Sequence, residues 1–144
     1  MKVLEFVNTH APTLRPNATL QDAVDKLDLY QVTLLPVVDD SGAVVGALTE
    51  MQVFQVLFAG WLERYRATGE TPPLADFRGG AHDLAQTPIQ AQPVPVLDEH
   101  DPIEHAVAQM VQHGYDTLPV VGEGRFIGTL RLIDCCQALI GDTE

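Results

Sequence analysis

The chain has 144 residues, 46% of them apolar, which suffices for one compact domain with a real core. Twenty acidic residues against eight basic ones give a formal charge of −12, which repels nucleic-acid phosphates and anionic membrane surfaces alike. The best apolar run, Val56 to Leu62, falls well short of the roughly 20 residues of a membrane helix.

The opening stretch, MKVLEFVNTH, is interrupted by Glu5 and lacks a small-residue cleavage site, so a cytoplasmic protein is expected. A first helix follows, capped by Asn17 or Thr19, with Leu20, Ala23, Val24 and Leu27 on one face. A β-branched strand then runs into Leu35-Pro36-Val37-Val38, turns at DDSG (39–42) and returns through Gly46. Pro36 cannot donate to a ladder and is expected at a strand start or an edge. A second helix starts near Glu50 and continues through Trp61, Arg64 and Tyr65 until Gly69.

Residues 61–84 continue as TGETPP, a helix stop, and RGGAHD (78–83), which reads as loop. Arg64, Arg66 and Arg78 place three of the eight basic residues there. Trp61 and Tyr65 share a helix face, as a dimer contact or partner-docking patch or as a cover for the chain's own core.

Sliding the chain by 83 residues lays Pro12 on Pro95, Leu20 on Ile103, Ala23 on Ala106, and Leu35-Pro36-Val37-Val38 on Leu118-Pro119-Val120-Val121. One residue is lost in the turn, after which Val45-Gly46-Ala47-Leu48 matches Ile127-Gly128-Thr129-Leu130. The second copy therefore repeats the order. Its helix is expected to be capped by Asp101, with Pro102 at the first position and Glu104 in the first turn. Ile103, Ala106, Val107 and Met110 form its apolar face, a GEG turn (122–124) closes its hairpin, and its last helix begins near Leu132. Each copy reads β-α-β-β-α and, at roughly 55 residues, is small for a stable domain on its own. The expected fold is α+β, two tandem repeats packed sheet to sheet: repeat one over 1–60, a connector over 61–84 and repeat two over 85–144.

A capped amphipathic helix, LPVV, an acidic or glycine turn and a glycine-marked return strand before a final helix resemble the cystathionine-β-synthase (CBS) domain. The resemblance covers nearly all of the chain outside 61–84. It implies a pseudo-twofold pair of repeats whose clefts often hold adenosine-containing ligands such as AMP, ATP or S-adenosylmethionine, and pairs that dimerise. It also implies a regulatory module acting on some other protein. The family's ligand signature is Gly, two apolar residues, Thr or Ser, two residues, then Asp, with the Asp for ribose hydroxyls and the Thr for a phosphate. Copy one has Gly46 and Thr49 but Gln52 in place of the Asp. Copy two has Gly128 and Asp134 but Arg131 in place of the Thr. The resemblance thus implies a ligand site on Asp134 and Arg131, with a contribution from Thr49 and Gln52 in the other cleft. Asp116 stands where many members carry a basic residue. It opposes a phosphate by about 1 kcal/mol or more, so an uncharged adenosyl group is easier to hold. With neither signature complete, the alternative is a ligand-free interaction module.

No residue set reads as catalytic. Ser41 is a turn residue; adjacent Cys135 and Cys136 would strain a disulfide, are expected reduced, and fall where copy one has Val53 and Phe54. His100, His105 and His113 match no metal spacing and are expected at the surface. Met51 and Met110 fit core positions. The chain is expected not to be an enzyme.

Overall fold

The structure, a computed structural model, describes residues 1–73, 75 and 82–142. Arg78 and most of the 78–83 loop lie outside the described residues. In chain order the elements are a 3-10 turn (Val3–Phe6), α1 (Leu20–Tyr30), β1 (Leu34–Val38), β2 (Val44–Thr49), α2 (Glu50–Leu57), α3 (Ala59–Thr68), a 3-10 turn (His82–Gln86), β3 (Leu97–Asp98), α4 (Ile103–His113), β4 (Thr117–Gly122), β5 (Arg125–Arg131) and α5 (Leu132–Asp142). The fold is α+β, as expected.

Thr19 caps α1 reciprocally: its hydroxyl accepts from the Asp22 amide at 3.2 Å, and the Asp22 carboxylate accepts from the Thr19 amide at 2.9 Å. The expected Asp101 cap is displaced by one residue. Pro102 is the N-cap of α4, and the Asp101 carboxylate instead accepts from the Asp98 amide at 2.9 Å. The second long helix is interrupted at Phe58, whose dihedrals (φ −99°, ψ 7°) leave the helical region, yet hydrogen bonding continues across it, from Phe58 N to Phe54 O at 2.9 Å and Leu62 N to Phe58 O at 2.7 Å. Gly69, with φ +71°, ends α3.

Each hairpin is antiparallel, β1 with β2 and β4 with β5, and β3 adds a parallel edge to β4. In the first copy the leading strand is reduced to one parallel bridge, Leu14 to Val37. Pro36 lies inside β1 rather than at its start, but among the described residues β1 is one of only two strands in its sheet and so the expected edge placement holds, whereas Pro119, expected likewise, lies inside β4, the middle strand of three. The Pro36 carbonyl accepts from Leu14 N at 2.8 Å, so its nitrogen faces the same side, and the parallel neighbour begins at Leu14 where the missing N–H is not needed.

The two copies exchange their leading segments. Asn8 bonds in both directions with Thr129 of β5 (2.8 and 3.1 Å), and Gln92 bonds in both directions with Ala47 of β2 (2.9 Å each). The same segments satisfy helix starts that would otherwise leave open donors: Leu20 N donates to Thr87 O at 2.9 Å, and Ile103 N donates to Met1 O at 3.1 Å. The exchange explains the glycine of each return strand. A Cβ on Gly46 would stand 2.7 Å from Gln92 O, and one on Gly128 would collide with Asn8 O and lie 2.5 Å from Val7 Cγ1.

Two buried clusters result, and they are twins. Leu14, Leu20, Ala23, Leu27, Leu35, Val37, Leu48 and Val53 form one; Leu97, Ile103, Ala106, Met110, Leu118, Val120, Leu130 and Cys135 occupy the equivalent places in the other. Exchange completes both, since Ile89 joins the first cluster and Val3 the second. Each fully buried Leu contributes about 1.5–3 kcal/mol. Met110 is fully buried, but Met51 is 64% exposed, because it lies in the first turn of α2, away from the face that carries Val53.

Candidate functional site

Where the hairpins meet, two clefts open, of about 560 and 510 Å3. In the first, the leading segment at Asn8 and Pro12 and the α1–β1 corner face Asp116, Arg131 and Asp134. In the second, the α4–β4 corner from His113 to Asp116 faces Thr33, Thr49, Glu50 and Gln52. The clefts are related by the repeat: each sets the corner of one copy against the start of the other copy's last helix.

The four sequence-marked residues divide into two local pairs, one per cleft. Arg131 and Asp134 form a bidentate ion pair, Nε to Oδ2 and an Nη to Oδ1 at 2.9 Å each. This bond and the charge behind it hold the Arg131 guanidinium further toward its protonated form. Both ends remain accessible, with 61% of the Arg131 and 33% of the Asp134 side chain exposed. The pair is therefore a small contributor to stability and an available one for recognition, since each carboxylate oxygen has a second lone pair for a hydroxyl donor. In the other cleft, Thr49 and Gln52 make a capping box: Gln52 N donates to Thr49 Oγ1 at 3.1 Å and Thr49 N donates to Gln52 Oε1 at 2.9 Å. Their hydrogen-bonding capacity serves the start of α2 first, which leaves the Thr49 hydroxyl proton and the Gln52 amide group for a ligand.

Electrostatics separate the clefts. In the first, Arg131 and Asp134 cancel and Asp116 leaves one net negative charge; in the second, Glu50 and Asp116 give two. Sequence reasoning missed the Thr33–Asp116 hydrogen bond, Oγ1 to Oδ1 at 2.8 Å, on the wall between them. Its signal was available, since 33 and 116 are equivalent positions. The lining by Asn8 and Pro12 left no such signal, because it depends on the exchange. Cys135 is buried, and burial first, then its neighbours Cys136 and Asp134, push its thiol up to about 11, the behaviour of an inert core group. Both cysteines are free thiols. His100 and His105 are exposed beside Glu99 and Asp101. Among the described residues no helix is long and apolar enough to cross a membrane.

Trp61 and Tyr65 stack, with centroids 6.0 Å apart and planes 3° from parallel, and they extend an edge-on row through Phe58 and Phe54. The Trp61 indole N–H donates to Pro72 O at 3.3 Å, and Trp61 is half-buried while Tyr65 is exposed.

The CBS domain family matches residues 3–59 and 87–141. The chain belongs to the CBS domain family. An uncharacterized protein of Methanocaldococcus jannaschii, MJ1225, is 25% identical over 140 residues, 97% of this chain and 43% of that protein, so the chain spans less than half the length of this relative. Among solved structures, CBSX2 in complex with AMP superposes with a TM-score of 0.70 at 20% identity, covering 99% of this chain and 98% of that one. The CBS domain pair of protein MJ0100, in complex with 5′-methylthioadenosine and S-adenosyl-L-methionine, gives a TM-score of 0.66 at 19% identity, covering 100% and 98%. At these identities the likeness establishes the fold.

Proposed function

We propose that the chain is a cytoplasmic regulatory module that binds an adenosine-containing ligand in the clefts between its repeats and itself catalyses nothing. The observation that carries this reading is Asp134, a carboxylate at the rim of a 560 Å3 cleft, fixed by Arg131 yet one-third exposed, with acceptor capacity left for a ribose. The ligands held by CBSX2 and MJ0100 support the class. Of AMP, ATP and S-adenosylmethionine, the negative balance of both clefts favours the last, whose net charge is positive.

The test is thermal unfolding with AMP, ADP, ATP, S-adenosylmethionine and NAD. A ligand at 100 times its dissociation constant adds about 2.7 kcal/mol, and the shift is expected with an adenosyl compound and lost in Asp134→Ala. No shift with any of the five rejects the reading.

A second reading is favoured by a different observation, the row of Phe54, Phe58, Trp61 and Tyr65 with its exposed end. In it the chain is a homodimer or partner-binding module, and Trp61 and Tyr65 lie in the contact. Sedimentation at micromolar concentration is expected to give a dimer that Tyr65→Ala weakens; monomer alone rejects the dimer.

A further inference from the structure

Thr33 and Asp116 are each other's counterparts under the repeat spacing, and Thr33 Oγ1 donates to Asp116 Oδ1 at 2.8 Å. A hydrogen bond between counterparts lies on the pseudo-twofold axis, because that axis exchanges its two ends. Both residues line both clefts. Their backbones match as well: Thr33 O accepts from Glu50 N and Asp116 O from Leu132 N, each at 2.8 Å, so each holds the first amide of a helix that carries a signature residue. The symmetry is broken only in chemistry. One half of the axis supplies a neutral hydroxyl and the other a carboxylate, so a single charge is shared by two clefts.

We propose that Asp116 is the specificity-determining residue of both clefts, selecting a net-positive adenosyl ligand over a phosphate-bearing one, and that sharing it makes the clefts anticooperative. This deepens the adenosyl-ligand reading and rests on it. Among the described residues that line the cleft of Arg131, Asp116 is the only uncompensated charge, so it decides the sign of the ligand accepted there. The cleft of Glu50 carries a second carboxylate and fills first. A cation bound there neutralises Asp116 from that side, and its neighbour is left without a counter-charge for a second cation. AMP, whose phosphate is negative, meets a charge of its own sign in both clefts. Since Thr33 and Asp116 are exposed, the effect is screened and shrinks as salt is raised.

The test is calorimetric titration of the full chain at low salt with S-adenosylmethionine and with AMP, in the wild type, Asp116→Asn and Thr33→Val. The wild type is expected to prefer S-adenosylmethionine and to bind it in two unequal events, the second about tenfold weaker. Asp116→Asn keeps an oxygen for the Thr33 proton and loses the charge. It is expected to weaken S-adenosylmethionine and strengthen AMP, each roughly three- to tenfold, and to bring the two events together. Thr33→Val keeps the charge and breaks the bond, so the ligand preference survives it; a purely structural role for the pair would make both variants behave alike. Equal, independent S-adenosylmethionine sites in the wild type, or an unchanged preference in Asp116→Asn, overturn the proposal while leaving the adenosyl reading intact. Absence of S-adenosylmethionine binding in the wild type overturns the proposal, and silence with AMP, ADP, ATP and NAD as well overturns the adenosyl reading with it.

Discussion

The start of the last helix is tied by a neutral capping box, Thr49 with Gln52, in one repeat and by an ion pair, Arg131 with Asp134, in the other. The cores beneath them agree position for position, from Leu14 and Leu97 to Val53 and Cys135. The difference teaches that the architecture constrains the two halves unequally by depth. Packing fixes apolar volume at eight equivalent places, whereas the helix start requires only some reciprocal side-chain pair, and the choice of pair decides what chemistry is left over for a ligand.

The strongest way to break the comparison is through the cores. Leu35→Ala and Leu118→Ala, both fully buried, are expected to cost about 2–5 kcal/mol each. Denaturant unfolding should place the two losses close together, and a silent substitution in either half would deny that the clusters are equivalent. The exchange of leading segments comes next. Gly128→Ala forces a Cβ onto Asn8 O and Val7 and is expected to cost about 1–3 kcal/mol, and Gly46→Ala a similar amount, since there a 2.7 Å approach to Gln92 O is joined by a backbone at φ +156° that a side chain disfavours. The same unfolding measurement checks both, and a silent substitution at either glycine would deny the close approach. The helix starts give the smallest effects and sharpen the contrast: Thr49→Ala is expected to cost about 1 kcal/mol through its lost cap, and Arg131→Ala about 0–1 kcal/mol because its ion pair is largely exposed. Equal losses would mean the two pairs serve stability alike.

Much of this is legible in the amino-acid sequence. The repeat register carried the twin cores, both hairpins and the starts of α2 and α5, because burial on a shared fold leaves the same apolar spacing twice. The sites were legible only as residue types. That Thr49 bonds Gln52, and Arg131 bonds Asp134, follows from an i, i+3 spacing at a helix start. The exchange of segments left little trace, since the Asn8–Thr129 and Gln92–Ala47 pairs join residues far apart in sequence through backbone groups alone; only Gly46 and Gly128 betray it. Met51 was misread because methionine suits a core and apolar spacing does not resolve which side of a helix's first turn meets it. The Asp101 cap was misread because Asp101 closes the preceding turn on Asp98 instead.

Amide hydrogen exchange with and without S-adenosylmethionine tests the ligand-binding account most directly, because it reads occupancy along the whole backbone. The expected result is added protection at Tyr30–Leu34, at His113–Leu118 and across both Thr49–Gln52 and Arg131–Asp134, with Trp61–Tyr65 unchanged. Protection confined to α3, or none under saturating ligand, would contradict it.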